Sequence, residues 1–597
     1  MRHSYDYGLI GNCAYLALIG KDTNVEWMCL PRFDSSFVFG KLIAGDKGGE
    51  FSIKPDSESQ ECTQTYTPNT NILKTEITTN EGAYRVTDFA PRFMQNDRYY
   101  RPMMLIRKVE PLSGYPRIKA TCRPVGNYGE LQPEVERGSN HLRFTGLSEA
   151  LRLTTDIPQN YILEEKAFVL RRPCYMILTY GVPLEGALQE TTHSFLARTK
   201  NYWERWVKST SIGLLFQKEV IRSALALKIC QYEDTGAIIA APTTSLPEAP
   251  SSTRNWDYRY CWMRDTYYTL NAFNNIGHFE EMEKYFSFIT NIPVPNGNRI
   301  QPLYSVSGDA ILTEKELPLP GYLGNTPVRV GNDAYTHIQN DVYGQILLAI
   351  LPLYVDERFL NHPGAEDLNM VETVLHKIEM TIDEKDAGIW EFRNKAYRHT
   401  YTNLFQWAGC KAAKHIAQKL GSKSLAKRAE NLAKRAAQHI ENCYIEKEKA
   451  YGVGEGVSHM DASTLQMIVM GYIPHDSDRA RNHLKALEKD LKAGKGLFFR
   501  YSEQDDFGKP ETTFLICGFW YAEALACVGR LDEAMEAFQE LSSYSNHLGL
   551  LSEDIDASDG SMWGNFPQAY SHVGMVNAAA RINNRLNKPS FLSELGQ

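Results

Sequence analysis

The chain lacks several features that would each point to a class of protein. It has no run of about 18 apolar residues, the length a membrane-spanning helix needs. Its start, Met1-Arg2-His3-Ser4-Tyr5-Asp6-Tyr7, is not a secretory leader, and the next apolar run, Leu16 to Ile19, is too short and has no small-residue cleavage site after it. The 11 cysteines contain no CxxC pair, and with the scattered histidines they give no zinc spacing, so no metal is expected. Cys230, Cys517 and Cys527 lie in apolar stretches, which predicts buried free thiols in a reducing compartment. A cytoplasmic location is expected, or export with a signal since removed. No G-x-S-x-G and no phosphate-binding glycine loop occurs at a strand–helix junction. Basic charge is not in excess either: 64 Lys and Arg against 72 Asp and Glu leave a net charge of -8. That argues against a nucleic-acid or anionic-membrane partner.

What is present is an ordinary globular composition, 43% apolar and 23% charged, in 597 residues. That length exceeds what one hydrophobic core usually serves, so two domains are expected. Aromatics reach 11%, with 33 Tyr and 9 Trp, which suits a large core and also suits the packing of rings against pyranose C–H faces.

Residues 1–185 read as an antiparallel β-sandwich. Leu73, Thr75, Ile77 and Thr79 alternate, Asn80-Glu81-Gly82 supplies a turn, and Tyr84 to Thr87 alternates again, a hairpin pattern. Further strands are expected at Met103 to Arg107, His141 to Phe144, Leu151 to Thr154 and Tyr175 to Tyr180. Residues 186–215 read as a linker helix carrying Tyr202, Trp203 and Trp206. From 216 to 597 helices dominate. Leu425, Ala429, Leu432, Ala436 and Ile440 mark one helical face, with Ser424 as N-cap and Gly421 closing the preceding helix. Long polar loops, such as Ala241 to Arg254, Pro293 to Asn332, Asp383 to Thr400 and Leu550 to Gly564, separate the helices. Loops of that length carry function more often than connections do.

Two loops pair a carboxylate with a telling neighbour. Trp390-Glu391 places an acid beside an indole, where the anion is poorly solvated and the proton is held. Glu553, near Asp554 and Asp556 in a polar loop, is placed to stay ionised. Hydrolysis of a glycosidic bond needs this pair, one carboxyl to protonate the leaving oxygen and one carboxylate to activate water. Arg264-Asp265 offers a donor fork beside an acceptor, suited to vicinal hydroxyls. Taken one at a time these are more often structural than catalytic, and so are His337, His399 and His572.

Together, several blocks resemble glycoside hydrolase family 15, the glucoamylase and trehalase family, and most of all its prokaryotic two-domain branch. They are Asp6 to Gly11, Trp27 to Ser35, Thr235 to Ala237, Ala241 to Glu248, Asn255-Trp256-Asp257-Tyr258-Arg259-Tyr260-Cys261-Trp262-Met263-Arg264-Asp265, Val330 to Asn332, Gly388 to Arg393, Phe499-Arg500-Tyr501 and Leu551 to Asp556. The resemblance implies an N-terminal β-sandwich followed by an (α/α)6 barrel over 216–597, with a blunt pocket at one end. It implies Glu391 as general acid and Glu553 as general base, with carboxyls about 6.5–9.5 Å apart to admit a water. Arg264 and Asp265 would hold the terminal glucose, Arg500 would bind sugar, and Trp262 and Trp390 would line the pocket.

The implied activity is exo-acting, inverting release of β-glucose from the non-reducing end of α-gluco-oligosaccharides, without a cofactor. Trehalase and isomaltose-type activities are the alternatives. A glycoside phosphorylase or a non-catalytic sugar-binding protein is disfavoured by the presence of both carboxylates. Two departures stand out: Phe392 takes the place of a second glutamate at the acid loop, and Asn24-Val25-Glu26 replaces a Gly-Ser-Ile-Asp segment. No starch-binding module is evident, and association into a homo-oligomer is left open.

Overall fold

A computed structural model describes residues 2–292, 299–359 and 368–587. Residues 293–298, at the start of the loop expected from Pro293, lie outside the described residues, as do 588–597.

The first 180 residues form antiparallel sheets of eight, four and three strands around a shared core. The predicted hairpin is there, Leu73–Thr79 against Gly82–Phe89, with Thr79 opposite Gly82. In Leu73–Thr79 every second side chain is buried, as a strand with one covered face requires. Leu16–Gly20 is buried throughout, so both of its faces are covered. The other expected strands appear as Met104–Gly114, His141–Thr145, Leu151–Thr155 and Cys174–Tyr180. A fully buried ion pair, Arg107 with Asp88 at 2.8 Å, ties sheets together, because the same guanidinium donates to the carbonyls of Phe51 and Thr23.

Helix α1, Leu188–Lys208, leads into twelve further helices among the described residues. These are α2 (Gln217–Cys230), α3 (Met263–Asn275), α4 (Phe279–Asn291), α5 (Asp341–Val355), α6 (Leu368–Thr381), α7 (Thr400–Lys419), α8 (Lys423–Glu441), the short α9 (Gln466–Val469), α10 (Asp478–Leu491), α11 (Leu515–Cys527), α12 (Leu531–Ser543) and α13 (Ala569–Leu586). The odd-numbered helices α3 to α13 pack side by side into a closed inner ring, with the 3-10 turn Ala462–Leu465 leading into α9. The even-numbered helices pack outside them, which is the (α/α)6 arrangement.

The sequence explains which helix goes where. All 13 residues of α11 are buried, because apart from Glu523 it carries no charged side chain on any face and suits the inner ring. Helix α8 buries one stripe, Leu425, Ala429, Leu432, Ala436 and Ile440, and turns lysines and arginines outward. It starts two residues earlier than expected: Ser422 is the N-cap and Ser424 lies inside the first turn, while Gly421 takes a left-handed φ of 79° after the preceding helix. Inner helices α5 and α7 meet at a glycine pair, since a Cβ on Gly344 would stand 2.0 Å from the Phe405 carbonyl oxygen.

The connector is locked by charge. Lys228 of α2 meets Glu281 of α4 at 2.9 Å with both side chains buried, and Trp206 of α1 donates its indole N–H to the same carboxylate at 3.0 Å. Trp206 also stacks on His278, with ring centroids 3.8 Å apart. Removing one member of a buried pair leaves an uncompensated charge. Lys228→Met is therefore expected to cost about 3–5 kcal/mol. Lys228→Met with Glu281→Gln, which keeps an acceptor for Trp206, should recover most of that loss; thermal denaturation of the two variants checks the order.

Candidate active site

The inner helices present their first turns to one end of the barrel, and the long loops converge there. The segment from Trp256 to Trp262 runs antiparallel to residues 240–245, with backbone bonds from Ala240 and Ala241 to the carbonyls of Tyr260 and Tyr258. Side chains on such a segment alternate between faces. Asp257 and Arg259 turn to the interior as a fully buried ion pair at 2.7 Å, and Arg259 reaches the Ser35 carbonyl and the Tyr128 hydroxyl of the sandwich. Tyr258 and Trp262 turn the other way.

Each of these two rings holds one of the carboxylates singled out in the sequence. Trp262 donates its indole N–H to Glu391 Oε1 at 2.7 Å, and Tyr258 donates its hydroxyl to Glu553 Oε1 at 2.8 Å. The two rings meet edge to face with centroids 5.4 Å apart. Glu391 and Glu553 thus flank one aromatic pair, and neither carboxyl has the other as a hydrogen-bond partner among the described residues. Tyr258 is the residue that the sequence reading passed over. Its signal was the alternation within the Asn255–Asp265 block, which places it on the same face as Trp262.

Glu391 occupies a tight turn. Its own φ is 61°, left-handed, which costs a residue with a Cβ on the order of 1 kcal/mol. Gly388 before it has φ 68°, and a Cβ there would lie 2.5 Å from the His399 ring. The loop is anchored by Asp386, which accepts from the Asn340 N–H and the Thr402 hydroxyl, both at 2.8 Å. Glu553 is seated against Gly564, whose φ is 76° and where a Cβ would stand 2.6 Å from Glu553 Oε2.

The environments of the two carboxyls reverse the expectation from sequence. Glu553, expected in a polar and solvated loop, is 1% exposed. Burial and the charge of Glu248 push its carboxyl above the usual carboxylate range, against the pull of Arg500 and of the Tyr258 hydroxyl. Glu391, expected to owe its setting to Trp390, has a side chain 23% exposed and takes its indole N–H from Trp262 instead. Trp390 sends its N–H to Asp461 at 2.8 Å, so it walls the cleft from a fixed position. Asp554, next to Glu553, is buried with neither carboxyl oxygen hydrogen-bonded among the described residues, and burial together with Glu553 raises its pKa well above the ordinary value.

Arg264 and Asp265 are present at the first turn of α3, bonded to each other at 2.9 Å. Arg264 also donates to the Ile389 carbonyl at 2.7 Å and approaches Glu391 at 3.4 Å, so it braces the loop that carries Glu391. Arg500 is buried, bonded to Glu248 and held over Phe514. Glu248 and Arg500 line the same cleft as Tyr258, Trp390 and Glu391. His337 lines it too, with its pKa lowered by burial, whereas His572 is structural, bonded to Ser223 and to the Leu551 N–H. Phe392 lines the cleft as well, packed against Tyr501 and His399. No cluster of His, Cys, Asp or Glu with metal-binding geometry occurs among the described residues.

Comparison with known proteins places this arrangement. A trehalase of Thermoplasma volcanium is 33% identical over 593 residues, 98% of this chain and 94% of that one. A trehalase of Mycolicibacterium smegmatis is 30% identical, over 97% of this chain and 91% of the relative. The crystal structure of a bacterial glucoamylase complexed with acarbose superposes with a TM-score of 0.69 at 15% identity, covering 98% of this chain and 95% of that one, which shows a shared fold. Residues 5–167 match the model of the trehalase-like N-terminal domain, and residues 216–580 match that of glycosyl hydrolases family 15. The chain belongs to glycoside hydrolase family 15 and is a glycoside hydrolase built as a β-sandwich followed by an (α/α)6 barrel.

Proposed function

We propose that the protein is an inverting hydrolase of α,α-trehalose, with residues 216–597 as its catalytic domain. Glu391 protonates the glycosidic oxygen, and Glu553 takes a proton from the water that attacks the anomeric carbon. Arg264 and Asp265 hold the attacked glucose, Trp262 and Trp390 form its walls, and Arg500 binds sugar beside Glu248. Tyr258 and the Asn565 N–H hold the Glu553 carboxylate, each donating to one of its oxygens.

The choice of trehalose over a longer glucan rests on one observation together with the names of the relatives. The loop from Glu503 to Gly508 is bound across the mouth of the cleft. Asp505 pairs with Arg254 at 2.5 Å, Asp506 accepts the Arg393 N–H at 2.7 Å, and Lys395 meets Glu503 at 2.7 Å. Phe507 closes edge to face on Trp256, with centroids 5.2 Å apart. A loop pinned at these points over the cleft favours a short substrate over a long chain, and the charged groups that bear it suit the many hydroxyls of a second glucose.

Substrate preference tests the reading. The kcat/KM for trehalose should exceed that for maltotriose and for isomaltose by about two orders of magnitude, or about 2.7 kcal/mol of transition-state binding. Equal rates, or preference for maltotriose, would replace trehalase with an exo-glucosidase of oligosaccharides. Inversion at one carbon of a symmetric disaccharide yields one β-glucose and one α-glucose, and proton NMR of the first turnovers should show the two in equal amounts.

Glu391→Gln and Glu553→Gln are each expected to lower kcat on the order of 10³-fold with an unchanged melting temperature. A loss under tenfold in either would overturn its assignment.

The acid side of the pH–rate profile follows from Glu553. A base works only when ionised, so activity falls as pH drops through its raised pKa. Tyr258→Phe removes a donor that favours the anion and should move that limb to higher pH. Glu248→Gln removes a repelling charge and should move it to lower pH. Limbs that stay in place in both variants would mean that another group carries the titration.

A further inference from the structure

The inner ring has a second end. Asp265, Asp341, Tyr401, Leu515 and Tyr570 stand in the first turns of α3, α5, α7, α11 and α13, next to the cleft. Another cavity, of about 400 Å³, lies further along these same helices. Arg581, on its wall, is eleven residues beyond Tyr570 on α13, about 16 Å along the axis at 1.5 Å per residue. Lys411 and His415, on its rim, are exposed, so it opens away from the catalytic loops. Tyr268 stands between the two ends: it lines the cavity, and its hydroxyl meets that of Tyr401 at 3.0 Å.

The lining mixes aliphatic side chains such as Leu348, Leu351 and Val469 with polar and aromatic ones. Trp407 of α7 offers a half-buried indole face, with the Lys411 ammonium 5.4 Å from its centre. Gln466 of α9 is 2% exposed, yet its amide nitrogen has no hydrogen-bond partner, a donor removed from water without compensation. Glu523 of α11 is buried, and the nearest guanidinium nitrogen of Arg581 is 3.7 Å away, beyond hydrogen-bond distance. Burial raises the Glu523 carboxyl to about 7. An apolar flat face, an unspent amide donor, a carboxyl and a guanidinium around a space of this size are what a ring of hydroxyls requires. An acidic group beside Arg581 makes this wall a poor seat for an anion, which favours a neutral ligand.

We propose that this cavity is a second binding site, separate from the catalytic cleft, for a neutral monosaccharide or polyol, with Trp407 as its platform and Glu523 and Gln466 as its hydrogen-bonding groups. The site is read by binding and stands whether or not trehalose is the substrate.

Equilibrium dialysis of the whole protein with radiolabelled glucose tests it. The wild-type chain should bind two equivalents. Glu523→Gln should weaken one of them by about tenfold or more, the worth of one hydrogen bond to a charged group, and Trp407→Ala, which removes the platform, should weaken the same one. The other equivalent and kcat/KM should be unchanged, which shows that the fold and the cleft are intact. Glu523→Gln preserves side-chain shape and carries the test if Trp407→Ala fails to fold. A single equivalent in the wild-type chain, or the same isotherm in wild type and Glu523→Gln, would overturn the proposal.

Discussion

The buried ion pair between Asp257 and Arg259 is the constraint on which the cleft depends. Both side chains are shut off from water, where an unpaired charge is costly, so the pair holds its geometry and fixes the strand that bears it. Arg259 spends its remaining donors on the sandwich, at the Ser35 carbonyl and the Tyr128 hydroxyl, and Asp257 also accepts the Gly331 N–H at 3.2 Å. The strand is thereby tied to the N-terminal sheets on one face and free to serve the cleft on the other. Period-two alternation does the rest, since Tyr258 and Trp262 point where Asp257 and Arg259 do not.

This accounts for a sandwich that supplies none of the candidate site residues yet contacts the loops around them. Trp27 donates its indole N–H to the Pro242 carbonyl at 2.6 Å, and the Tyr5 hydroxyl donates to the Gly564 carbonyl at 2.9 Å. Gly564 is the residue against which Glu553 is seated, so the segment just before the first strand braces the loop of the proposed base. The proposed acid is braced from the barrel instead, through Asp386, Arg264 and the left-handed turn at Glu391. Two carboxylates that must keep a fixed separation are held by two separate frameworks joined at the Tyr258–Trp262 pair.

The barrel adds a direction to this arrangement. Its inner helices run with their first turns at the cleft, so polar side chains near their starts serve the candidate site, and those further along face the opposite end. The ring between them is largely apolar, and Tyr268 and Tyr401 touch across it.

Much of the fold was legible in the chain itself. Alternation over Leu73 to Thr87 determined the hairpin, and the stripe from Leu425 to Ile440 determined a helix with one buried face. The conjunction of the Asn255–Asp265 block with the loops at Glu391 and Glu553 determined the family. Tertiary structure alone decided the environments, because burial and hydrogen bonding depend on segments hundreds of residues apart. Glu553 lies in a run of polar residues, yet the fold closes Gly564, Tyr258 and Glu248 around it and removes it from water. Trp390 adjoins Glu391 in the chain, but neighbours in a turn diverge, and the indole that reaches the carboxylate belongs to Trp262, 129 residues earlier.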